Sequence, residues 1–334
     1  MKEVFLKRKR VFLILLIPYI GLILLSVIPT NNTTIGPGEM NPVQNFIDFE
    51  YQTDLNNKYY TTSVFSFDNA TPLMVLLSRL NKDVTLSRMS TYYQDTKILD
   101  RYSMGYLMKE DSINKAILNA SNYLSLEYTS IEKNIVYLTY NYITNDNLKI
   151  GDEITSVNGS TDIYNAIEIA PCNTESTFVV IDEDSNEKTL ILEKREHNDR
   201  CSFGIYVDSI TKIITHEYDY DISSNAVMGP SGGLLQTLYL IDLLGADFLD
   251  NDLLIGGTGT IDIFGNVGPI GGVKQKIITA SKNNIDVFFV PHLSDEQDDN
   301  YIEALLTYNQ LDTDMVVVGV STLEEALDYL MGVN

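Results

Sequence analysis

Strand and helix patterns alternate along the last third of the chain, and this order restricts the fold more than any other feature of the sequence. A strand pattern over 203–220 precedes a long apolar helical pattern that begins after Ser231, and a hairpin pattern follows over 253–270. A helical pattern over 272–284 and a buried-strand pattern over 286–291 continue the series, which ends in another helix, strand and helix. Such alternation is typical of a mixed α/β domain.

The middle of the chain is richer in strand patterns. Residues 59–67 consist mostly of β-forming residues, while apolar residues at helical spacing predict a helix over 104–124. Residues 146–160 predict a strand between turn signals, and residues 177–194 predict two strands joined by an Asp-Ser-Asn-Glu turn. The fold class that we expect is therefore α+β or mixed α/β, with a β-rich module in the middle of the chain.

An uncharged apolar stretch, VFLILLIPYIGLILLSVI, occupies residues 11–28 directly after a basic cluster within residues 1–10. As a helix it would span roughly 27 Å, about the thickness of one hydrocarbon core. No small-residue cleavage site follows the stretch, so we expect an uncleaved transmembrane anchor. The basic cluster predicts a cytoplasmic N-terminus and an extracellular catalytic body. Residues 29–44, rich in Asn, Thr, Gly and Pro, predict a linker.

The chain is strongly acidic, with a formal net charge of −23. Nucleic-acid binding requires a basic face, so this charge argues against a nucleic-acid partner. The charge weakly favours neutral or basic partners. The sequence contains no G-x-x-x-x-G-K-[ST] motif, so we expect no bound nucleotide.

The residues that most often bind metals are few and scattered. No C-x-x-C or H-E-x-x-H motif occurs, and His197, His216 and His292 lie far apart in the sequence, so we expect neither a metal nor another cofactor. Cys172 and Cys201 are the two cysteines. An extracellular location would permit a disulfide between them, but two free thiols are an equally good interpretation.

The stretch NAVMGPSGGLLQTLYLIDLL, residues 225–244, places Ser231 in a tight turn at the start of a helix. One interpretation is a helix N-cap, for which serine is a favoured residue. The other is a nucleophile held where backbone amides and the helix dipole point. A nucleophile needs a base, and His216 and His292 have no recognisable triad setting. Lys274 opens a later helix after a glycine-rich turn. Taken alone, it is better interpreted as a solvated lysine of the first helical turn; the other interpretation is a base, since burial and the helix N-terminus would favour a neutral amine.

The segments GPSGG, GTGTI, GPIGGVKQK and FFVP, in this order and spacing, resemble the Lon proteolytic domain, and most specifically the membrane-anchored PDZ–Lon serine proteases. The resemblance implies a Ser–Lys dyad, with Ser231 as the nucleophile and Lys274 as the base. It places Thr258 beside the lysine, where its hydroxyl would hold the amine. Gly229 and Gly232 would support the turn, and the Ser231 amide with a neighbouring amide would form an oxyanion hole.

Two residues beside the expected nucleophile depart from the family pattern. Met228 stands where the family often has Asp or Gly, and Gly233 stands where it usually has Ala. These departures bear on the rate or on the turn geometry rather than on the type of reaction.

The segment LKIGDEITSVNG, residues 148–159, is similar to the part of PDZ domains that carries a strand, a Gly-Asp pair and a Val-Asn-Gly turn. The resemblance implies a PDZ-like domain over 125–198, inserted into a protease domain built from 45–124 and 199–334. PDZ domains bind extended peptides by strand addition. The alternative interpretation of the segment is an ordinary β-hairpin.

The expected function is that of a membrane-anchored, extracytoplasmic, ATP-independent serine endopeptidase that processes secreted peptides or exposed flexible segments of proteins. Its partners would be a peptide or protein substrate and the membrane, with a homo-oligomer as an open alternative. One rival function is a catalytically silent peptide-binding scaffold. Another is a penicillin-interacting enzyme, because Ser112-Ile-Asn-Lys115 matches S-x-x-K, although no K-T-G follows.

Overall fold

A computed structural model describes residues 16–50, 55–245, 252–293 and 299–332, and it shows a mixed α+β protein. The helices are α1 (16–27), α2 (Pro72–Ser78), α3 (Thr91–Gln94), α4 (Ile98–Leu124), α5 (Ile163–Ile169), α6 (Gly233–Leu244), α7 (Val273–Ser281), α8 (Asn300–Tyr308) and α9 (Leu323–Gly332), with a 3-10 turn at Val43–Asn45.

Two six-stranded sheets and two small ribbons make up the β structure of the described residues. The strands of the first half are β1 (Asn32–Pro42), β2 (Ile47–Phe49), β3 (Lys58–Phe67), β4 (Thr85–Arg88), β5 (Tyr128–Thr139), β6 (Glu153–Val157), β7 (Thr174–Ile181) and β8 (Glu187–His197). Those of the second half are β9 (Arg200–Ser202), β10 (Ile205–His216), β11 (Tyr220–Ile222), β12 (Leu254–Gly257), β13 (Thr260–Ile261), β14 (Val267–Gly268), β15 (Val287–Pro291) and β16 (Val316–Val320).

The main sheet has the strand order β16-β15-β12-β3-β1-β4. Strands β3, β12, β15 and β16 are parallel, and β1 runs antiparallel to both β3 and β4. Helices α4, α6 and α9 contribute to the hydrophobic core on one face, and α7 and α8 contribute to the core on the other. In the apolar strand β15, Phe289 belongs to the first core and its neighbour Phe288 to the second, because successive side chains of a strand point to opposite faces.

The second sheet is antiparallel and has the strand order β10-β5-β6-β7-β8-β9. With α5 it encloses a separate hydrophobic core around Phe178, Leu192 and Phe203. A disulfide joins Cys172 to Cys201, with 5.6 Å between their Cα atoms. Of the two interpretations open from the sequence, the structure thus contains the paired one.

Helix α4 connects the two sheets because it packs against both. Its residues Ile113 and Ile117 lie in the core of the main sheet. About two and a half turns before Ile113, Met104 packs with Leu138 and Ile210 of the second sheet. Asp111 adds a polar contact, since its Oδ1 accepts a hydrogen bond from the Thr211 amide at 2.8 Å. Helix α4 therefore helps to position the second sheet beside the main domain.

The second sheet extends further along the chain than the sequence predicted. The predicted domain boundary between residues 198 and 199 placed β10 in the catalytic segment. In the structure, β10 pairs with β5 along its whole length. The two ends of the inserted module meet where the Glu217 amide donates to the Glu127 carbonyl at 3.1 Å. A long antiparallel partner, which no local pattern reveals, therefore moves the boundary to about residue 217.

The predicted linker, residues 29–44, is also corrected, because most of it forms β1 inside the main sheet. The predicted anchor, residues 11–28, begins among residues 1–15, which lie outside the described residues, and continues into helix α1. None of the helices in the described residues has both the length and the apolar character needed to cross a membrane.

We predict that the inserted module can be removed at the structural boundary but not at the sequence boundary. Replacing 128–216 with a short Gly/Ser linker joins two ends that are already hydrogen-bonded. Replacing 128–198 with the same linker leaves β10 without β5 and exposes Val207 and Ile210, which costs about 1.5–3 kcal/mol for each buried apolar side chain.

Both variants lose the contacts of β5 with α4, and only the 128–216 replacement also loses those of β10, so exposure of α4 alone would make the 128–216 replacement the less stable of the two. Thermal unfolding followed by circular dichroism should show a cooperative transition for the 128–216 replacement and a much lower or absent one for the 128–198 replacement. Equal melting temperatures would show that β10 does not depend on the second sheet.

Candidate active site

Ser231 lies in a tight turn that leads into α6, between Pro230 and the N-cap residue Gly232. Its carbonyl oxygen accepts hydrogen bonds from the Gly259 amide at 2.8 Å and from the Thr258 hydroxyl at 3.0 Å. The turn is therefore attached to the segment that leaves the end of β12. This attachment determines where the Ser231 side chain lies relative to the main sheet.

Two glycines are needed for this geometry. Gly229 has a φ of +90°, a backbone conformation that residues with a Cβ rarely adopt. A Cβ on Gly233 would lie 2.9 Å from both Ile261 Cγ2 and Ser112 Oγ. The glycine at 233, which departs from the family pattern, thus lets α6 approach β13 and α4 closely.

Lys276 is the amine that reaches Ser231. Its Nζ lies 2.8 Å from Ser231 Oγ and 2.8 Å from Thr258 Oγ1. Lys276 is only 3% exposed and Thr258 is fully buried. Because burial penalises the ammonium form, the pKa of Lys276 is lowered to about 7. Its place in the first turns of α7 acts in the same direction, since a helix N-terminus disfavours a positive charge.

The hydrogen bonds of Thr258 determine how the amine can be used. The Thr258 hydroxyl donates its proton to the Ser231 carbonyl, so towards Lys276 it can only accept. A neutral Lys276 then donates one N–H to Thr258. Its lone pair remains available for the proton of Ser231 Oγ. This arrangement is that of a serine nucleophile with a lysine general base.

The structure corrects the predicted base, Lys274. The Nζ of Lys274 donates to the Lys82 carbonyl at 2.6 Å and does not reach Ser231. Two residues correspond to about 200° around a helix, so Lys274 and Lys276 lie on nearly opposite faces of α7. A signal for the correct choice was present in the sequence, because Lys276 shares the helical spacing of the buried residues Val273 and Ala280.

The backbone amides of the turn limit which groups could bind an oxyanion. The Gly229 amide donates to the Gly105 carbonyl at 2.9 Å, and the Gly233 amide donates to the Pro230 carbonyl at 3.3 Å. Pro230 has no amide hydrogen. The amides of Ser231 and Gly232 are therefore the candidate donors for an oxyanion hole.

Helix α4 supports the turn through two residues whose role the sequence analysis did not recognise. The Ser112 hydroxyl donates to the Pro230 carbonyl at 3.0 Å. The buried Lys109 amine donates to the Ser223 and Asn225 carbonyls at 3.1 and 3.2 Å, and burial lowers its pKa. Both contacts hold the segment that leads to Ser231.

The other candidate nucleophile–base pairs are not assembled in the described residues. Lys115, the second member of the S-x-x-K match, pairs with Asp111 at 2.6 Å instead of Ser112. His216 contacts Ser121 Oγ at 2.9 Å, and His292 is hydrogen-bonded to Asp299. Among the described residues, no group of three or more His, Cys, Asp or Glu side chains could hold a metal ion.

We predict that replacing Lys276 and replacing Lys274 have very different effects on peptide cleavage. Lys276→Ala removes the only amine bonded to Ser231 among the described residues and should lower kcat by about 10³-fold or more. Lys274→Ala removes one partly exposed contact to a carbonyl and is the matched control from the same helix turn, so kcat should stay within about twofold. Normal turnover by Lys276→Ala would contradict the assignment.

Comparison with known proteins places the candidate dyad inside a recognised domain. Residues 222–332, which include Ser231, Thr258 and Lys276, match the family described as the Lon protease (S16) C-terminal proteolytic domain. This family match confirms the resemblance to the Lon proteolytic domain. It covers neither the second sheet nor the N-terminal segment.

The chain is also similar to curated Lon proteases. The chain is 30% identical to the Lon protease of Campylobacter jejuni over 103 residues, which are 31% of this chain and 12% of that protein. It is 28% identical to the Lon protease of Mycoplasma mycoides over 172 residues, which are 49% of this chain and 19% of that protein. The chain thus spans less than a fifth of these relatives. Both relatives are Lon proteases, and the chain is similar to a part of each.

Proposed function

We propose that the chain is a serine endopeptidase in which Ser231 is the nucleophile and Lys276 the general base. One observation carries this proposal: a buried lysine amine lies 2.8 Å from the hydroxyl of a serine at the start of a helix. The match of residues 222–332 to the Lon proteolytic domain supports the same reaction class.

The proposed reaction follows from the hydrogen bonds of the site. Neutral Lys276 takes the proton of Ser231 Oγ as that oxygen attacks the carbonyl carbon of a peptide bond. The amides of Ser231 and Gly232 stabilise the negative oxygen of the tetrahedral intermediate. The Lys276 ammonium then gives its proton to the nitrogen of the cleaved bond. The amine product departs, and the acyl group stays on Ser231 as an ester. Water, deprotonated by Lys276, hydrolyses this ester and restores the serine.

Flexible peptide segments are the proposed substrates. The sequence has no phosphate-binding loop of the G-x-x-x-x-G-K-[ST] type, so the proposed enzyme works without nucleotide and does not unfold its substrates. We assign substrate recruitment to the second sheet, as a PDZ-like module that binds an extended peptide. Its separate core and its helix α5 support this assignment.

The proposed location is the extracellular side of the cell membrane, with residues 11–28 as the anchor. Two features support it. The apolar stretch follows a basic cluster, which is the pattern of a segment with a cytoplasmic N-terminus. The Cys172–Cys201 disulfide is typical of proteins outside the cytosol, where thiols are not kept reduced.

The purified full-length chain tests the proposed activity directly. We expect it to cleave unstructured peptides without nucleotide, and Ser231→Ala to lower kcat by about 10³-fold or more. The control Ser87→Ala, which changes an exposed serine on β4, should retain activity. If Ser231→Ala cleaves at the normal rate, the nucleophile is wrong. If the wild type cleaves nothing but binds peptides, the chain is a peptide-binding scaffold.

Cells that produce either the wild-type chain or Ser231→Ala test the proposed membrane location. The chain should stay in the membrane fraction after a high-salt wash, because salt does not screen the burial of apolar groups. Proteomics of the medium and of the cell surface should show fragments that are present with wild type and absent with Ser231→Ala. Release of the chain by salt would contradict the anchor.

A further inference from the structure

A cavity of about 330 Å³ lies next to the nucleophile. Its lining includes Pro230, the residue before Ser231, together with Ser112 of α4 and the β13–β14 hairpin. Ser112 also holds the Pro230 carbonyl at 3.0 Å, so the cavity wall and the catalytic turn share a hydrogen bond. A substrate bound at Ser231 would therefore lie close to this cavity.

The second sheet forms one wall of the same cavity. Tyr137 of β5 and Asp208 of β10 both line it. Two polar contacts fix this wall against α4, one between the Thr211 amide and Asp111 at 2.8 Å and the other between Lys212 and Glu110 at 2.7 Å. The inserted module therefore contributes directly to the surface beside the nucleophile.

The cavity lining carries more negative than positive side chains. Three carboxylates and one lysine amine line it, and the amine of Lys115 is already paired with Asp111 at 2.6 Å. Asp262 accepts hydrogen bonds from the Phe264 and Asn266 amides, which shape the hairpin turn. The cavity thus keeps an excess of negative charge that its own residues do not neutralise.

Asp208 is the carboxylate that is best placed to meet a ligand cation. It is partly buried, and its hydrogen-bond donors are neutral, namely the Ser209 amide at 2.8 Å and the Tyr206 hydroxyl at 2.9 Å. No Lys, Arg or His side chain of the described residues lies within 4.0 Å of its oxygens. The negative charge of Asp208 also affects the neighbouring Tyr137, whose pKa is raised by burial and by the carboxylates of Asp111 and Asp208.

The remaining lining suits the stem of a long basic side chain. Met108, Ile261 and Val267 add apolar surface to the cavity lining. Lysine and arginine side chains bury their aliphatic stems on such surfaces and direct the charged end to a polar group. A charge that enters a partly buried site is stabilised only if a counter-charge meets it.

We propose that this cavity is a subsite for a lysine or arginine side chain of the substrate, with Asp208 as its specificity-determining residue. This inference rests on the proposed endopeptidase activity and specifies its substrate class. It also assigns the inserted module a second role. Besides recruiting peptides, the module supplies the wall that selects one side chain next to the cleaved bond.

The test uses the full-length chain and a peptide series in which lysine, norleucine or glutamate occupies each position around the cleavage site in turn. Norleucine keeps the aliphatic stem of lysine without its charge. At one position, kcat/KM for lysine should exceed kcat/KM for norleucine about tenfold or more, with glutamate the poorest. In Asp208→Asn the lysine-to-norleucine ratio should fall towards one. Because the ratio is taken within one variant, a general loss of activity cancels.

The matched control is Asp184→Asn, which removes the same charge from an exposed turn of the same module, outside the cavity lining. It should keep the wild-type ratio. A wild type that cleaves lysine and norleucine peptides equally at every position, or an Asp208→Asn variant with an unchanged ratio, would overturn the subsite. Absence of all Ser231-dependent cleavage would instead overturn the proposed endopeptidase activity, so the two failures are distinguishable.

Discussion

The burial of one lysine amine between two hydroxyl groups is the interaction on which the active-site account depends. Lys276 Nζ lies 2.8 Å from both Ser231 Oγ and Thr258 Oγ1 and is withdrawn from water. Helix α6, which follows Ser231, and helix α7, which carries Lys276, pack on opposite faces of the main sheet. Ser231 and Lys276 meet at the end of β12, beside Thr258. The parallel core of the sheet is therefore what assembles the dyad.

The second sheet is fixed beside the active site and is not a loosely tethered module. A recruitment module on a flexible tether would raise the local substrate concentration without affecting the choice of side chain. Here helix α4 holds the module in place through Asp111 and an apolar cluster, and the module reaches the cavity beside Pro230. Recruitment and side-chain selection would then be properties of one rigid surface.

Much of the fold was predictable, because its helices and buried strands have strong local patterns. Ser231 and Thr258 were identified from motifs, and the structure brings them together. The base was assigned two residues too early because the glycine-rich motif was used without the helical phase of Val273 and Ala280. The pairing of β10 with β5 and of β1 with β3 and β4 was missed because pairing partners far apart in sequence leave no local signal.

The proposed role of Lys276 as general base depends on its protonation state. A neutral amine is the base, so the dyad becomes competent as the pH rises through the Lys276 pKa. Nuclear magnetic resonance of the chain labelled at lysine Cε, with the Lys276 signal assigned from its loss in Lys276→Ala, measures that pKa without relying on turnover. We expect a titration midpoint of about 7, because burial disfavours the ammonium. A midpoint near the ordinary lysine value of about 10.4 would contradict it.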